Sequence, residues 1–138
     1  MGEMGEKIVK KFLEQKYQAI VTKKSDYAGY DFEVKIKNQK FAVEVKTTVH
    51  HLNQFYISYN ELKTAEKLRE NYYIYRLYIC GNEKRLFVIK NPIALLEINQ
   101  KLLGTIFENE KVSAKIDGLA IILKDEFIEK LPVVNVFP

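Results

Sequence analysis

The chain has 138 residues, 47% hydrophobic and 29% charged, with a formal net charge of +4. That length is one domain able to bury a core, and the basic balance favours a polyanionic partner. No apolar run reaches the length of a membrane span, no signal-peptide pattern opens the chain, and the single cysteine allows no internal disulfide.

From Gly5 to Lys16 the pattern is that of an amphipathic helix. Ile8, Val9, Phe12 and Leu13 share one arc, while Lys7, Lys10, Lys11, Glu14 and Gln15 fill the other. Glu6 falls at the edge of the apolar arc, near Leu13 and Tyr17, and is expected to look along the packed face toward a sheet. The plainer reading of Glu6 is an exposed i,i+4 pair with Lys10. Gln18 to Lys23 reads as a short strand and Ser25 to Gly29 as a loop.

The next run carries the chemistry. Phe32, Val34 and Ile36 alternate with polar residues, and so do Phe41, Val43 and Val45, which is the mark of half-buried strands. A hairpin turning at Asn38-Gln39 pairs Lys37 with Lys40, Glu33 with Glu44 and Asp31 with Lys46, all pointing away from the apolar side. Like charges opposed on a sheet are destabilising, so three carboxylates beside one lysine make sense around a divalent cation. Hard cations such as magnesium take carboxylate oxygens and water. A bound ion polarises a phosphate and lowers the pKa of an attacking water, and a lysine can support the charge that develops. The bland reading is a solvated strand face.

Further along, Gln54 to Ser58 reads as a strand, and Ser58-Tyr59-Asn60-Glu61 as a capping box opening a charged helix through about Glu70. Tyr72 to Cys80 and Arg85 to Ile89 are predicted strands with a turn at Gly81-Asn82. Asn91-Pro92 is expected to start a helix through about Leu103, ended by Gly104. Asp117-Gly118 reads as a second hairpin, and Asp125 to Leu131 as a last helix stopped before Pro132. Cys80 is expected in the core, and the tyrosines at 72, 73, 75 and 78 fill a β-rich core rather than stack on bases. His50-His51 would point to opposite faces of a strand, so both cannot easily ligate one ion. Lys23 and Lys24 before the loop, with Lys63 and Lys67 on the charged helix, could line a phosphate track. No glycine-rich phosphate loop, Cys/His zinc set or Gly-x-Ser-x-Gly elbow is present, which removes support for an ATPase, zinc enzyme or serine hydrolase.

An Asp on one strand followed by Glu-x-Lys on the next resembles the PD-(D/E)xK nuclease superfamily. The wording Gly-Tyr-Asp-Phe at 29–32, Ala-Val-Glu-Val-Lys-Thr-Thr at 42–48, Phe-Tyr-Ile-Ser at 55–58 with Asn60-Glu61-Leu62, and the tyrosine-rich run from Tyr72 to Tyr78 is similar to the NO VEIN C-terminal domain family over about residues 5 to 98. The superfamily's Pro before the Asp is Tyr30 here. The resemblance implies an α/β, restriction-endonuclease-like mixed central sheet flanked by helices. It implies Mg²⁺ or Mn²⁺ on Asp31, Glu44 and the Val45 carbonyl, Lys46 as the catalytic lysine, and Glu6 as an auxiliary acid.

The sequence thus predicts one nuclease-like domain over 1–138, whether whole or cut from a larger protein, that hydrolyses DNA phosphodiester bonds with magnesium. Lys23, Lys24, Thr47 and Thr48 are the expected nucleic-acid contacts. The rival readings are a non-catalytic nucleic-acid-binding or protein-interaction module, appended to a larger helicase- or chaperone-like machine, and a Holliday-junction resolvase working as a dimer. The expected location is the cytoplasm, with no membrane association.

Overall fold

The computed structural model describes residues 2–50, 52–98, 106–108, 113–115 and 117–135. The opening helix, α1 (Gly2–Tyr17), buries Gly5, Val9 and Leu13, the arc its spacing predicts. It is followed by β1 (Ile20–Lys23), β2 (Phe32–Ile36), β3 (Gln39–Thr48) and β4 (Gln54–Ser58). Helix α2 (Tyr59–Leu68) runs into a single 3₁₀ turn at Arg69–Asn71, then β5 (Tyr72–Cys80) and β6 (Glu83–Lys90). Short elements complete the described chain: α3 (Pro92–Leu95), β7 (Ile106–Glu108), β8 (Ser113–Lys115), β9 (Gly118–Ile122), α4 (Asp125–Ile128) and β10 (Val133–Asn135).

Six strands form a mixed sheet in the order β1-β2-β3-β5-β6-β10. Only β3 and β5 run parallel, because the chain crosses between them through β4 and α2; the other neighbours are antiparallel. This is the mixed central sheet with flanking helices that the sequence predicts. Among the described residues, no helix is long and apolar enough to cross a membrane.

Both sheet faces are covered. Val43, Tyr75, Leu77 and Leu86 pack with Val9 and Leu13 of α1. Ala42, Tyr72, Ile74, Phe87 and Ile89 pack on the other face with Leu62 and Ala65 of α2 and Ile93 of α3. Central β5 is apolar on both sides for this reason, and burial removes Tyr72 and Tyr75 from a stacking role, while Tyr73 and Tyr78 are partly buried.

Several expectations need correction. The hairpin turns at Lys37-Asn38, with Lys37 in the left-handed region at φ 57°, so the register is Ile36↔Gln39, Lys35↔Lys40 and Glu33↔Ala42. Glu33 therefore does not face Glu44, and Asp31 does not face Lys46. A slip of two residues keeps every side chain on its face, so the apolar alternation could not distinguish the two pairings. The Glu44 face is not a solvated one either: α2 roofs it, and Glu44 is 5% exposed. Strand β4 leaves the central sheet and pairs with β9, which displaces the hairpin expected at Asp117-Gly118. Helix α3 stops at Leu95, and Glu97 just beyond takes φ 53°, a left-handed conformation that ends helices. The remainder of that expected helix, from 99 through Gly104, lies outside the described residues, as does His51. Cys80 is exposed, because β5 ends there at the Gly81-Asn82 turn. Strand β10, which adds to β6, was not predicted.

Candidate active site

Asp31 is delivered by the loop from β1 to β2. Gly29 takes φ 85°, and an added Cβ would lie 2.2 Å from Thr64 Oγ1, so only glycine lets the loop lie this close on α2. Asn60 Nδ2 donates to Tyr27 O at 3.1 Å, and the buried Tyr72 hydroxyl donates to Gly29 O at 2.8 Å. The loop is thus pinned from α2 and from β5. Asp31 follows, its backbone N–H bonded to Val43 O at 3.1 Å and its carbonyl accepting from Lys24 N at 2.9 Å.

The Asp31 side chain closes onto β3. Its Oδ2 accepts from Val45 N at 2.8 Å. A strand residue turns its N–H and C=O toward the same neighbour, so the Val45 carbonyl opens on the Asp31 side as well. Glu44 and Lys46, two apart on β3, share the α2-facing side, with Lys46 Nζ 3.1 Å from Glu44 Oε2. Asp31 and Glu44 line one cleft of about 220 Å³, with Lys23, Gly29, Ser58 and Glu61 on its walls.

Glu61 has a second partner that sequence reasoning missed. Its carboxylate completes the expected capping box, accepting from Ser58 N at 2.9 Å while its own N–H reaches Ser58 Oγ at 3.1 Å. The same Oε1 also accepts from Lys46 Nζ at 2.8 Å. A capping box is a local signal; that its carboxylate oxygen also meets a lysine fifteen residues upstream depends on α2 folding over the sheet.

The charges divide accordingly. Burial pushes Glu44 up to about 9, with Asp31 and Glu61 pushing the same way against the pull of Lys46. Burial also works against the charge on Lys46, but Glu44 and Glu61 outweigh it and hold the ammonium above the usual lysine range. Glu61 is held below the usual carboxylate range despite burial, by Lys46, Glu44 and the Ser58 N–H. Glu61 is thus a counter-ion of Lys46, and burial disfavours the charged form of Glu44.

The remaining candidates are distributed around this centre. Gly5 brings α1 onto β3: a Cβ there would sit 1.9 Å from Thr47 Oγ1. That hydroxyl is buried under α1 with no hydrogen-bond partner among the described residues. Glu6, next along α1, is ion-paired with Lys23 rather than with Lys10, which stands 3.9 Å from Glu14 instead. Lys23 also reaches Asp31 Oδ1 at 3.4 Å. Lys24 is half-buried beside it. Thr48 accepts from His50 N at 3.3 Å and lines a second cleft of about 360 Å³ with Thr47, Lys46, Gln54, Tyr56 and Arg76. Lys63, by contrast, lies over the Tyr59 ring at 5.5 Å.

Arg76 was missed altogether. It is 3% exposed and donates to Lys46 O at 3.2 Å, to Leu52 O at 3.4 Å and to Gln54 O. Its guanidinium also lies 5.4 Å from the Phe55 ring centre. Burial lowers it to about 10. The available signal was an arginine inside the nine-residue run of β5, a central strand that tolerates a charge only when its donors are satisfied.

Among the described residues, no three His, Cys, Asp or Glu side chains form a metal-holding group. The donors that do converge are two acids and a backbone carbonyl, a set a hard cation can use if water completes its shell. The electrostatics fit as well: an acid this buried keeps its proton unless more positive charge joins it, and a divalent ion supplies that charge.

The mixed sheet thus sets Asp31, just before β2, against Glu44-Val45-Lys46 on β3. The chain belongs to the family described as "Protein NO VEIN, C-terminal", whose family model matches residues 4–89. No curated protein matches the chain. Among solved structures it is similar to Hjc, a Holliday junction resolvase from the archaeal hyperthermophile Archaeoglobus fulgidus, with 11% identity and a TM-score of 0.48 over 92% of this chain and 95% of that one.

Proposed function

We propose that this chain is a magnesium- or manganese-dependent endonuclease acting on DNA. The observation that carries this reading is the bond from Val45 N to Asp31 Oδ2, at 2.8 Å. It fastens Asp31, just before β2, to the middle of Glu44-Val45-Lys46 on β3, so that Asp31 and Glu44 line one cleft while Lys46 stands 3.1 Å from Glu44.

Asp31, Glu44 and the Val45 carbonyl would hold the ion. When bound, it polarises a phosphate oxygen and lowers the pKa of an attacking water. The chain's own residues supply the rest. Lys46, kept charged by Glu61, offsets the negative charge that grows on phosphorus oxygens as the water–phosphorus bond forms and the ester P–O bond breaks. Glu6, one turn into α1, is the auxiliary acid on the Lys23 side of the cleft. Lys24, next to Lys23 of the cleft wall, and Thr48, in the second cleft, would contact the DNA backbone, and the net charge of +4 favours such a polyanion.

The test is cleavage of linear, branched and modified DNA with Mg²⁺ or Mn²⁺. Glu44→Ala and Lys46→Ala should each abolish it while circular dichroism stays that of the wild type. Normal cleavage by both variants would place the site elsewhere, and no cleavage of any substrate by wild type would leave a binding module.

A further inference from the structure

Two lysines stand at the candidate site, and they are held differently. Lys46 is enclosed, with Glu61 bonded to it at 2.8 Å and itself fixed by the α2 cap. Lys23 comes from the opposite side, at the end of β1. Its side chain is half exposed, and its ammonium bridges Glu6 of α1 and Asp31 Oδ1, the latter at 3.4 Å. The stem lies against Phe32, whose ring centre is 5.4 Å from Nζ. Lys23 also forms part of the wall of the cleft that Asp31 and Glu44 share. Asp31 thus has its two oxygens committed to different partners: Oδ2 to the Val45 N–H and Oδ1 to a lysine.

The two contacts have different consequences for a cation. The Val45 N–H orients Asp31 and leaves its charge in place. The Lys23 ammonium cancels that charge and occupies the oxygen facing Glu6. A divalent ion that takes Asp31 must either displace this ammonium or bind beside it against its repulsion. Displacement is cheap, because ion pairs exposed to this degree contribute little. The released ammonium stays at the cleft wall, where a phosphate is the counter-ion within its reach.

We propose that Lys23 is an exchangeable internal counter-ion: it pairs with Asp31 and Glu6 until a divalent cation arrives, and is then released to a DNA phosphate. The inference rests on the metal-dependent reading above. Metal and DNA binding are coupled through this one side chain, each favouring the other to the same degree.

The experiment uses Ca²⁺ and a short DNA duplex with wild type, Lys23→Gln and, as a control, Asp31→Asn. Calorimetry without DNA should show Ca²⁺ binding roughly two- to fivefold tighter in Lys23→Gln than in wild type, the scale set by a partly exposed ion pair. Wild type should bind the duplex more tightly with Ca²⁺ than without, and Lys23→Gln should lose that gain. If Lys23→Gln binds Ca²⁺ no tighter than wild type, or keeps the full Ca²⁺-dependent gain for DNA, the proposal fails. If it fails while Asp31→Asn still weakens Ca²⁺ binding, the metal site stands without it. If neither wild type nor Lys23→Gln binds Ca²⁺, the metal reading falls together with this one. Lys23 is half exposed, and a melting curve of the variant checks that the fold is retained.

Discussion

Lys46 Nζ and Glu61 Oε1 lie 2.8 Å apart, joining the middle of a central strand to the first turn of the helix above it. Glu61 holds the Ser58 N–H as well, so one carboxylate both starts α2 and secures the lysine. Removing it should therefore cost more than removing the cap alone. Ser58→Ala loses one capping bond and should destabilise by about 1 kcal/mol. Glu61→Ala leaves a largely buried lysine short of its counter-ion and should cost about 2–4 kcal/mol. Urea denaturation of both variants tests this; equal losses would mean that the Lys46 contact contributes nothing.

The raised pKa of Glu44 gives the protein a pH dependence of known sign. Its folded pKa is raised from the ordinary 4.5 to about 9, so between those values the folded state binds more protons than the unfolded state. This group's contribution is full below the lower value and is lost as pH rises through the upper one. The melting temperature should fall from about pH 5 to pH 9, and Glu44→Gln should flatten the fall. Mg²⁺ favours the ionised carboxylate, so the rise in melting temperature that it causes should grow across the same range.

The observed register separates two acids that the alternation had grouped. Asp31 reaches the Val45 amide, whereas Glu33 is paired opposite Ala42. Glu33→Gln should leave Mg²⁺ affinity within about twofold of wild type, while Asp31→Asn weakens it about tenfold or more with the fold intact. Calorimetric titration distinguishes them. Equal losses in the two variants would point to the pairing in which Glu33 faces Glu44.

The contact of α1 with β3 rests on Gly5. Gly5→Ala drives a methyl group into Thr47 Oγ1 and should destabilise by about 1–3 kcal/mol. Thr47→Ala removes a buried hydroxyl that has no partner among the described residues, so alone it should change stability little. Combined, the two should recover most of the loss. A double variant as unstable as Gly5→Ala would show that the clash lies with the backbone and not with this side chain.

The sequence by itself determined the faces of the elements and the set of candidate residues. Helical spacing named Val9 and Leu13 as the packing arc of α1, and period-two alternation put Glu44 and Lys46 on the side of β3 opposite Val43. The Asp and Glu-x-Lys wording was enough to point to a family, because it is local along the chain. The tertiary structure decided what stands next to what. Alternation is unchanged by a two-residue slip, so only the folded hairpin could put Glu33 against Ala42 and leave Asp31 to the Val45 amide. Whether the polar face of β3 meets water or a helix is likewise invisible in β3 itself. It depends on α2 crossing over that face, which buries Glu44, raises its pKa and brings Glu61 to Lys46. Contacts between elements distant in the chain carry no periodic signal, because their geometry is set by how whole layers pack; the bridge of Lys23 between Glu6 and Asp31 and the anchoring of Lys46 O by Arg76 both belong to this class.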